Sequence, residues 1–415
     1  MKRRRVKAVA ALSAAVIATG LVMAQDEPRN PVHRPKLQRV QVPRPAPGAG
    51  PQFGDPLPGL SAAQLAQFEE GRTEFESVET AEGGLGPIFN NNSCVACHSM
   101  QATGGASAIT VTRFGRRLAD GRFDPLAKLG GTLLHRFAID PAVAEHIPAE
   151  ANVTALRLTT PLFGAGLIEA IPDEAIHLNA QRRQPDGIRG RVSVVVDVVD
   201  GRTRAGHFGW KGQHASLLGF AADAYVNEMG ITSRFFPHDI APNGNAALLA
   251  RFDRVEDVED TVDPLTGKGD VDHAADFARF LAPPPPRRLG VEASAGARLF
   301  EQMNCTACHT PVMFTGPNPV APLAHARVAL YSDLLLHDMG SLGDGIEQGS
   351  ARGSEIKTAP LWGLRGRGPF LHDGRAATVT QAIRAHDGEG AAARDRFNRL
   401  RGEDVQRLLE FLKAI

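Results

Sequence analysis

The sequence has little cysteine and no excess of charge of either sign. Its 415 residues include only four cysteines, and 46 basic residues balance 46 acidic ones. Four cysteines can form at most two disulfides, which excludes a dense disulfide framework. Without a basic excess the chain lacks the charge with which proteins bind DNA or RNA, so we expect no nucleic-acid partner.

One long apolar run is present, and it lies at the N-terminus. Basic residues within positions 2–7 precede an apolar segment of residues 8–23, and Val22 and Ala24 supply the small side chains that a signal peptidase requires. The run is short and diluted by Ala, Ser and Gly, which favours a cleaved signal peptide (residues 1–24) over a membrane anchor. Its removal leaves 41 basic and 46 acidic residues, a net charge of −5. We expect a periplasmic or secreted protein with no integral membrane segment.

All four cysteines belong to two motifs of the same pattern. Cys94-Val95-Ala96-Cys97-His98 and Cys305-Thr306-Ala307-Cys308-His309 both match C-x-x-C-H, the attachment site of a c-type haem. Two thiols about one helical turn apart can bond to the two vinyl groups of a porphyrin, and the adjacent histidine can bind the iron. A disulfide or a zinc site would not explain why histidine directly follows both pairs. The sequence therefore predicts two covalently bound haem c groups, with His98 and His309 as iron ligands.

Proline-rich stretches divide the rest of the chain. Residues 25–58 are polar and rich in proline, which predicts a flexible tether. Four consecutive prolines at 283–286 predict an extended linker. An N-terminal cytochrome c-like haem domain would span residues 59–282, and a C-terminal one residues 287–415.

Local signals place helices around both motifs, so the expected fold class is mainly α. Ser61-x-x-Gln64 is a capping box that predicts the start of a helix, and residues 294–303 have helical apolar spacing before the second motif. The apolar residues from Val405 onwards predict a closing helix. The β-branched segment 192–199, followed by Asp200-Gly201, predicts a β-hairpin in a larger loop insertion of the first domain.

Two sequence blocks recur after each haem motif in the same order, which indicates duplication. Thr159-Thr-Pro-Leu-Phe-Gly164 returns as Thr358-Ala-Pro-Leu-Trp-Gly363, and residues 210–217 parallel residues 372–379. Further along the two copies differ, because one reaches Glu228 and the other His386. An imidazole can occupy the sixth position of an iron, whereas a carboxylate above an open iron can move a proton between the oxygens of peroxide. Met339 is the alternative sixth ligand of the C-terminal haem.

Several of these motifs resemble the bacterial dihaem cytochrome c peroxidases and the related dihaem enzyme that matures methylamine dehydrogenase. The resemblance is carried by Leu156–Phe163, by Phe208-Gly-Trp210-Lys-Gly and by Pro369-Phe-Leu-His-Asp-Gly-Arg375. Leu85–Asn90 and Tyr331–Gly340 resemble more closely the dihaem oxidoreductase family. The similarity extends from about residue 60 to the C-terminus.

The resemblance implies specific roles for three residues. Trp210 matches a tryptophan that relays electrons between the haems, Glu228 matches the distal acid–base, and His386 matches the sixth ligand of the C-terminal haem. Where the peroxidases carry a distal glutamine this chain has Phe220, which removes a hydrogen bond to bound peroxide. His146 and His135 lie in the region where those peroxidases keep a removable sixth ligand.

The sequence thus predicts a periplasmic dihaem c-type oxidoreductase of peroxidase type. Hydrogen peroxide or another small substrate would react at the N-terminal haem, and electrons would pass through the C-terminal haem. Their source would be a small redox protein or a quinol-derived donor. The alternative is a dihaem electron-transfer cytochrome without a catalytic pocket.

Overall fold

The computed structural model describes residues 50–415, so the predicted signal peptide and residues 25–49 of the predicted tether lie outside the described part. Its α-helices are α1 (Ala62–Phe75), α2 (Cys94–Cys97), α3 (Ala165–Glu169), α4 (Asp173–Gln181), α5 (Leu217–Ala224), α6 (Ala246–Phe252), α7 (Asp270–Phe280), α8 (Val291–Gln302), α9 (Val379–Arg384), α10 (Ala391–Asn398) and α11 (Gly402–Ala414). Its strands are β1 (Ile88–Phe89), β2 (Thr110–Arg117), β3 (Phe123–Asp124), β4 (Leu133–Leu134), β5 (Phe137–Ala138), β6 (Val153–Leu158), β7 (Val194–Val196), β8 (Thr203–Ala205), β9 (Met313–Phe314), β10 (Arg327–Val328), β11 (Leu336–Asp338) and β12 (Glu355–Lys357).

The fold is a mixture of helix and strand, which corrects the expectation of a mainly α protein. Helices account for 36% and strands for 14% of the structure. The largest sheet is antiparallel: β2 pairs with β3, β4 and β6, with Thr112 opposite Leu156. Most other strands are two or three residues long and form isolated pairs. Strands this short carry too few residues to show the alternation by which a strand is recognised in a sequence.

The parts of the chain before and after the four prolines each contain a pair of packed helices. Ser61 caps α1 through the expected capping box, and α1 packs along α7; later in the chain α8 packs along α11. A glycine lies at each helix crossing. A Cβ at Gly71 would lie 2.3 Å from the carbonyl oxygen of His273, and one at Gly296 would lie 2.0 Å from that of Arg407. Only glycine allows the helix axes to approach so closely.

The two repeated blocks meet through a matching pair of backbone hydrogen bonds. The Leu158 amide donates to the His372 carbonyl at 2.6 Å, and the Lys357 amide donates to the Trp210 carbonyl at 2.8 Å. Leu158 and Lys357 directly precede the two copies of the first block, and Trp210 and His372 begin the two copies of the second. The rings of Trp210 and His372 lie edge to face, 6.2 Å apart. The copies therefore contact each other through equivalent residues.

Buried charges join the parts of the chain before and after the four prolines. Asp344, whose side chain is fully buried, lies 2.9 Å from the guanidinium of Arg157 and 2.8 Å from the ammonium of Lys211. Arg191, whose side chain is 36% exposed, also pairs with Glu355 at 2.5 Å. Buried ions must be paired to offset their loss of hydration, so these residues fix how the two parts dock.

The packed part of the chain begins before residue 59, which moves the predicted end of the tether. The ring of Phe53 contacts that of Phe163 with centroids 5.1 Å apart, and the Leu57 amide donates to the Phe280 carbonyl at 2.8 Å. Residues 53–58 pack because Phe53 and Leu57 supply apolar contacts that the surrounding prolines obscure.

At the predicted hairpin, β7 and β8 pair antiparallel across Asp200-Gly201, with Val194 opposite Ala205. Between residues 50 and 415, no helix has the length and apolarity needed to cross a bilayer.

Two candidate haem sites

The first C-x-x-C-H motif forms a single helical turn. Ser93 caps α2 by accepting a hydrogen bond from the Ala96 amide at 3.3 Å, and the His98 amide closes the turn on the Cys94 carbonyl at 3.0 Å. Nδ1 of His98 lies 3.1 Å from the Gly105 carbonyl, an acceptor that fixes the ring and makes Nε2 the nitrogen suited to iron. Burial lowers the pKa of His98 to about 4, so the imidazole is neutral at pH 7, as a metal ligand must be.

The second motif repeats this arrangement at a different carbonyl. Nδ1 of His309 lies 3.0 Å from the Tyr331 carbonyl, and burial lowers the pKa of His309 to about 4. The ring of Phe300, from α8, contacts the His309 ring at 6.3 Å between centroids, as Phe75 from α1 contacts His98 at 5.8 Å. Both motifs therefore hold a neutral imidazole between a backbone carbonyl and the helix that precedes the motif.

A large apolar cavity adjoins the second motif. It has about 1550 Å³ of empty volume, part of which is open to solvent. Cys305, Cys308 and His309 line one side, and Met339 and His386, the two candidate sixth ligands, line it as well. Its apolar walls include Ile356, Leu361, Leu364, Phe370, Val379, Ile383, Leu408 and Leu412.

His386 faces His309 across this cavity. Their ring centroids are 6.5 Å apart, and Nδ1 of His386 lies 2.8 Å from the Ala382 carbonyl, which directs Nε2 away from its own helix. Two metal–nitrogen bonds of about 2 Å each, with the inner half of each ring, account for this separation. The distance therefore fits one iron atom between the two imidazoles.

The remaining polar groups around the cavity also fit a haem. Arg367 lines it and donates to the Pro360 carbonyl at 2.7 Å, but its buried Nε has no hydrogen-bond partner within residues 50–415. A buried guanidinium with an unused N–H is suited to a carboxylate, the group that a haem propionate supplies. Burial also raises the pKa of Cys94 and of Cys305 to about 12, so both groups are protonated thiols at pH 7.

Glu228 lies beside the first motif, 130 residues later in the chain. It sits in a π-helical turn, Tyr225–Met229, that continues α5. Its Oε2 accepts a hydrogen bond from Asn90 Nδ2 at 2.9 Å, and its carbonyl accepts one from the Asn90 amide at 2.8 Å. Asn91, the next residue, directs its Nδ2 at Cys97 Sγ, 3.7 Å away. Burial raises the pKa of Glu228, which suits a group that must both accept and donate a proton.

Trp210 lies at the second site. Its ring lines the cavity of His309, and its Nε1 donates to the Leu158 carbonyl at 2.8 Å. Phe220 stacks on His214 with centroids 5.0 Å apart, and His214 Nε2 lies 3.3 Å from Asp223 Oδ2. An aromatic stack therefore occupies the position at which the dihaem peroxidases carry a distal glutamine.

Several residues of these sites were not predicted from the sequence. Asn90 bonds to Glu228, and Lys211 and Asp344 form part of the buried pairing behind Trp210. Arg157 is paired with Asp344 in the same cluster. Asn90 falls inside a motif that carries the family resemblance, but no periodicity or spacing distinguishes it from its two asparagine neighbours.

The family assignment comes from a comparison with protein-family models. The model described as "Di-haem oxidoreductase, putative peroxidase" matches residues 143–415, roughly two-thirds of the chain. The chain belongs to the di-haem oxidoreductase family. As a member of that family it is an oxidoreductase enzyme, and the family name implies two haem groups. The matched range contains the second motif, Trp210, Glu228 and His386, while the first motif lies before it.

Solved structures give weaker similarities. A MauG-like protein associated with microbial copper homeostasis has 14% identity and a TM-score of 0.41, covering 91% of this chain and 95% of its own. The diheme peroxidase BthA from Burkholderia thailandensis has 14% identity and a TM-score of 0.40, with coverages of 84% and 85%. Hydrazine synthase from Kuenenia stuttgartiensis has 16% identity and a TM-score of 0.38, with coverages of 91% and 100%. Because these TM-scores are below 0.5, the assignment to the di-haem oxidoreductase family depends on the family model. No curated protein gives a significant match.

Proposed function

We propose that this member of the family is a periplasmic or secreted c-type enzyme that reduces hydrogen peroxide, or another small oxidant, at the N-terminal site. Electrons enter at the C-terminal site from a small redox protein or a quinol-derived donor. The two sites belong to duplicated haem domains, residues 59–282 and 287–415, with the β7–β8 hairpin inside the longer middle segment of the first. The paired backbone bonds of Leu158 and Lys357 and the glycines at both helix crossings support the duplication.

Covalent attachment of both haems is supported by the residues of the two motifs. Each motif places two thiols and a neutral imidazole on a single turn, and in each the imidazole Nδ1 lies against a backbone carbonyl. When bound, each haem supplies an iron whose redox state can change. Cys94 and Cys97 hold one haem with His98, and Cys305 and Cys308 hold the other with His309 and His386.

One observation carries the proposal: a single short segment connects the two sites. At its start Trp210 lines the cavity of His309, and at its end Glu228 is bonded to Asn90 beside the first motif. The segment between Trp210 and Glu228, which are 18 positions apart, therefore joins the donor side of the enzyme to its substrate side. This arrangement supports Trp210 as the electron relay and Glu228 as the acid–base.

Glu228 has the chemistry that peroxide cleavage requires. Reduction of peroxide consumes two electrons and two protons and releases two waters, so a proton must move from one peroxide oxygen to the other before the O–O bond breaks. A buried carboxylate can accept that proton and return it. Burial raises the pKa of Glu228, and the ionised form is the base, so the rate should fall as the pH drops through this raised pKa.

Rapid mixing of the holoprotein with peroxide tests the proposal. Glu228→Gln should retain both haems but react about 10²–10⁴-fold more slowly, the usual loss when a positioned proton-transfer group is removed. Glu174→Gln, at an exposed position in the first turn of α4, is the matched control and should react at the wild-type rate. A Glu228→Gln variant as fast as the wild type would remove Glu228 from the mechanism, and a wild type inert to peroxide would refute the proposed substrate.

A further inference from the structure

A second cavity lies beside the segment that carries Glu228, because Asn227, the preceding residue, lines it. It has about 630 Å³ of empty volume and is partly open to solvent. It is lined by Arg113, Ala127, Gly130, Gly131, Thr132, Leu133, His135, Asn227, Ile240, Ala241 and Gly244. With an arginine, a histidine, an asparagine and several backbone groups in its wall, the cavity is polar enough to hold ordered water.

A buried carboxylate fixes the orientation of His135 in this wall. The side chains of His135 and Glu145 are each 1% exposed, and His135 Nδ1 lies 2.8 Å from Glu145 Oε2. The same carboxylate accepts hydrogen bonds from the amides of His135 and Asn243, both at 2.9 Å. Because Nδ1 donates to Glu145, Nε2 of the neutral ring carries a lone pair. This buried nitrogen has no hydrogen-bond partner in the described part of the chain.

Arg113 presents a second unused polar group in the same wall. Its Nη1 donates to Thr132 Oγ1 at 3.2 Å, while its buried Nε finds no acceptor among residues 50–415. Buried polar atoms are almost always hydrogen-bonded to protein or to ordered water. An acceptor at His135 Nε2 and a donor at Arg113 Nε, both in the wall of one polar cavity, are therefore best satisfied by water.

Hydrogen bonds connect this wall to Glu228. The amide of Arg136, the residue after His135, donates to Asn90 Oδ1 at 3.0 Å, and Asn90 Nδ2 donates to Glu228 Oε2 at 2.9 Å. Asn227, which precedes Glu228 in the π-helical turn, lines the cavity itself. These hydrogen bonds hold the His135 segment beside Glu228, but neither of them can carry a proton, because both donors are amide N–H groups.

We propose that His135, oriented by Glu145, relays protons from water in this cavity to Glu228. The inference rests on the proposed function, because each peroxide reduced to two waters requires two protons to reach a buried pocket. Nε2 of His135 accepts a proton from one cavity water, and the resulting imidazolium returns it to the Glu228 carboxylate through another cavity water beside Asn227. The charged groups that face the relay are Glu145, Arg113, Glu228 and Asp223, the last of which lies 3.3 Å from His214 Nε2. Glu145 stabilises the imidazolium, and the positive Arg113 opposes its persistence, so the proton is passed on rather than retained.

His135→Gln in the holoprotein tests the relay, with the exposed His177→Gln as the matched control. The assay contains peroxide, an electron donor for the C-terminal site and a pH-indicator dye. In it, His135→Gln should take up protons and reduce peroxide at least about 10-fold more slowly than the wild type. The loss should not exceed the one caused by removing a group that itself transfers the proton to the substrate. The solvent deuterium isotope effect should increase, and the pH dependence of the rate should change shape. Glu145→Gln, which removes the orienting carboxylate, should show the same changes even if His135→Gln does not fold.

Three outcomes would overturn the relay, and they can be told apart. Wild-type rates and isotope effects in both variants, while the wild type reacts with peroxide, would overturn the relay and leave the proposed function intact. A change in the spin state of the resting N-terminal haem in His135→Gln would make His135 an iron ligand instead. A wild type that does not react with peroxide would overturn the proposed function and the relay together.

Discussion

Lys211 allows a quantitative test of how the parts of the chain before and after the four prolines are held together. Its ammonium is fully buried, lies 2.8 Å from Asp344 Oδ1, and donates to the Glu355 carbonyl at 2.6 Å and the Arg352 carbonyl at 3.0 Å. Lys211→Met retains the length and apolar stem of the side chain but removes the charge and these hydrogen bonds. Losing one partner of a buried ion pair usually costs about 3–5 kcal/mol. Since Asp344 keeps Arg157 at 2.9 Å, we expect the lower end, about 3 kcal/mol.

Urea unfolding of the holoprotein, followed by far-UV circular dichroism, measures this loss in the free energy of unfolding. The matched control is Lys413→Met, because Lys413 pairs with Glu410 at 3.0 Å while both side chains remain more than half exposed. An exposed pair of this kind contributes about 0–1 kcal/mol. Lys211→Arg should restore part of the stability, since it returns the charge. If Lys211→Met and Lys413→Met lowered the free energy of unfolding equally, the buried pairing would not be what holds the halves together.

Three further outcomes are expected. Made with a periplasmic haem-maturation system, the protein should carry two covalent haems per chain by intact mass and pyridine haemochrome, and a value near one would contradict the two-site structure. Trp210→Phe should still react with peroxide while its C-terminal haem is oxidised slowly in rapid mixing, whereas Trp362→Phe, the other tryptophan, should behave as wild type. Hydrogen bonds from Arg396 and Asn304 lower the pKa of Asp186 from 3.8 to about 2, so their stabilisation is present above pH 3.8 and is lost as the pH falls towards 2. Urea midpoints of wild type and Asp186→Asn should therefore converge over that range.

The features that the sequence predicted correctly depend on neighbouring residues. The capping box at Ser61 and Gln64 begins α1 as expected, and the apolar spacing after Val405 lies within α11. Both signals act within one or two helical turns, where the identity of a few side chains decides the backbone conformation. The C-x-x-C-H motifs are also local signals, and the covalent haem attachment that they predict stays a prediction.

The features that could not be predicted depend on distant parts of the chain. Asn90 and Glu228 are 138 residues apart, and Arg157 and Asp344 are 187 apart. No period or spacing links such pairs, so each residue looks like an ordinary polar side chain until the fold brings it to its partner. The pairing of β2 with β6 was missed for the same reason, since the paired residues Thr112 and Leu156 are 44 positions apart in the chain.

The sixth ligand of the C-terminal haem is where the sequence left two candidates and the geometry favours one. His386→Ala should convert this haem from low-spin to high-spin, because His386 is the imidazole that faces His309 with ring centroids 6.5 Å apart. The spectrum of the N-terminal haem should change little, since Asn90 and Glu228, which lie beside the first motif, are untouched. Electronic absorption and magnetic circular dichroism of the ferric protein measure both haems.

Met339 is the matched control, because it lines the same cavity and could approach the iron if His386 were lost. Met339→Leu keeps its apolar volume and should leave the C-terminal haem low-spin. The double variant, His386→Ala with Met339→Leu, also lacks the Met339 thioether that could replace the imidazole. Its C-terminal haem should therefore be fully high-spin. The ligand assignment fails if Met339→Leu alone gives a high-spin C-terminal haem while His386→Ala does not. In that case the 6.5 Å between the two imidazole rings would reflect packing around the cavity rather than the space for one iron.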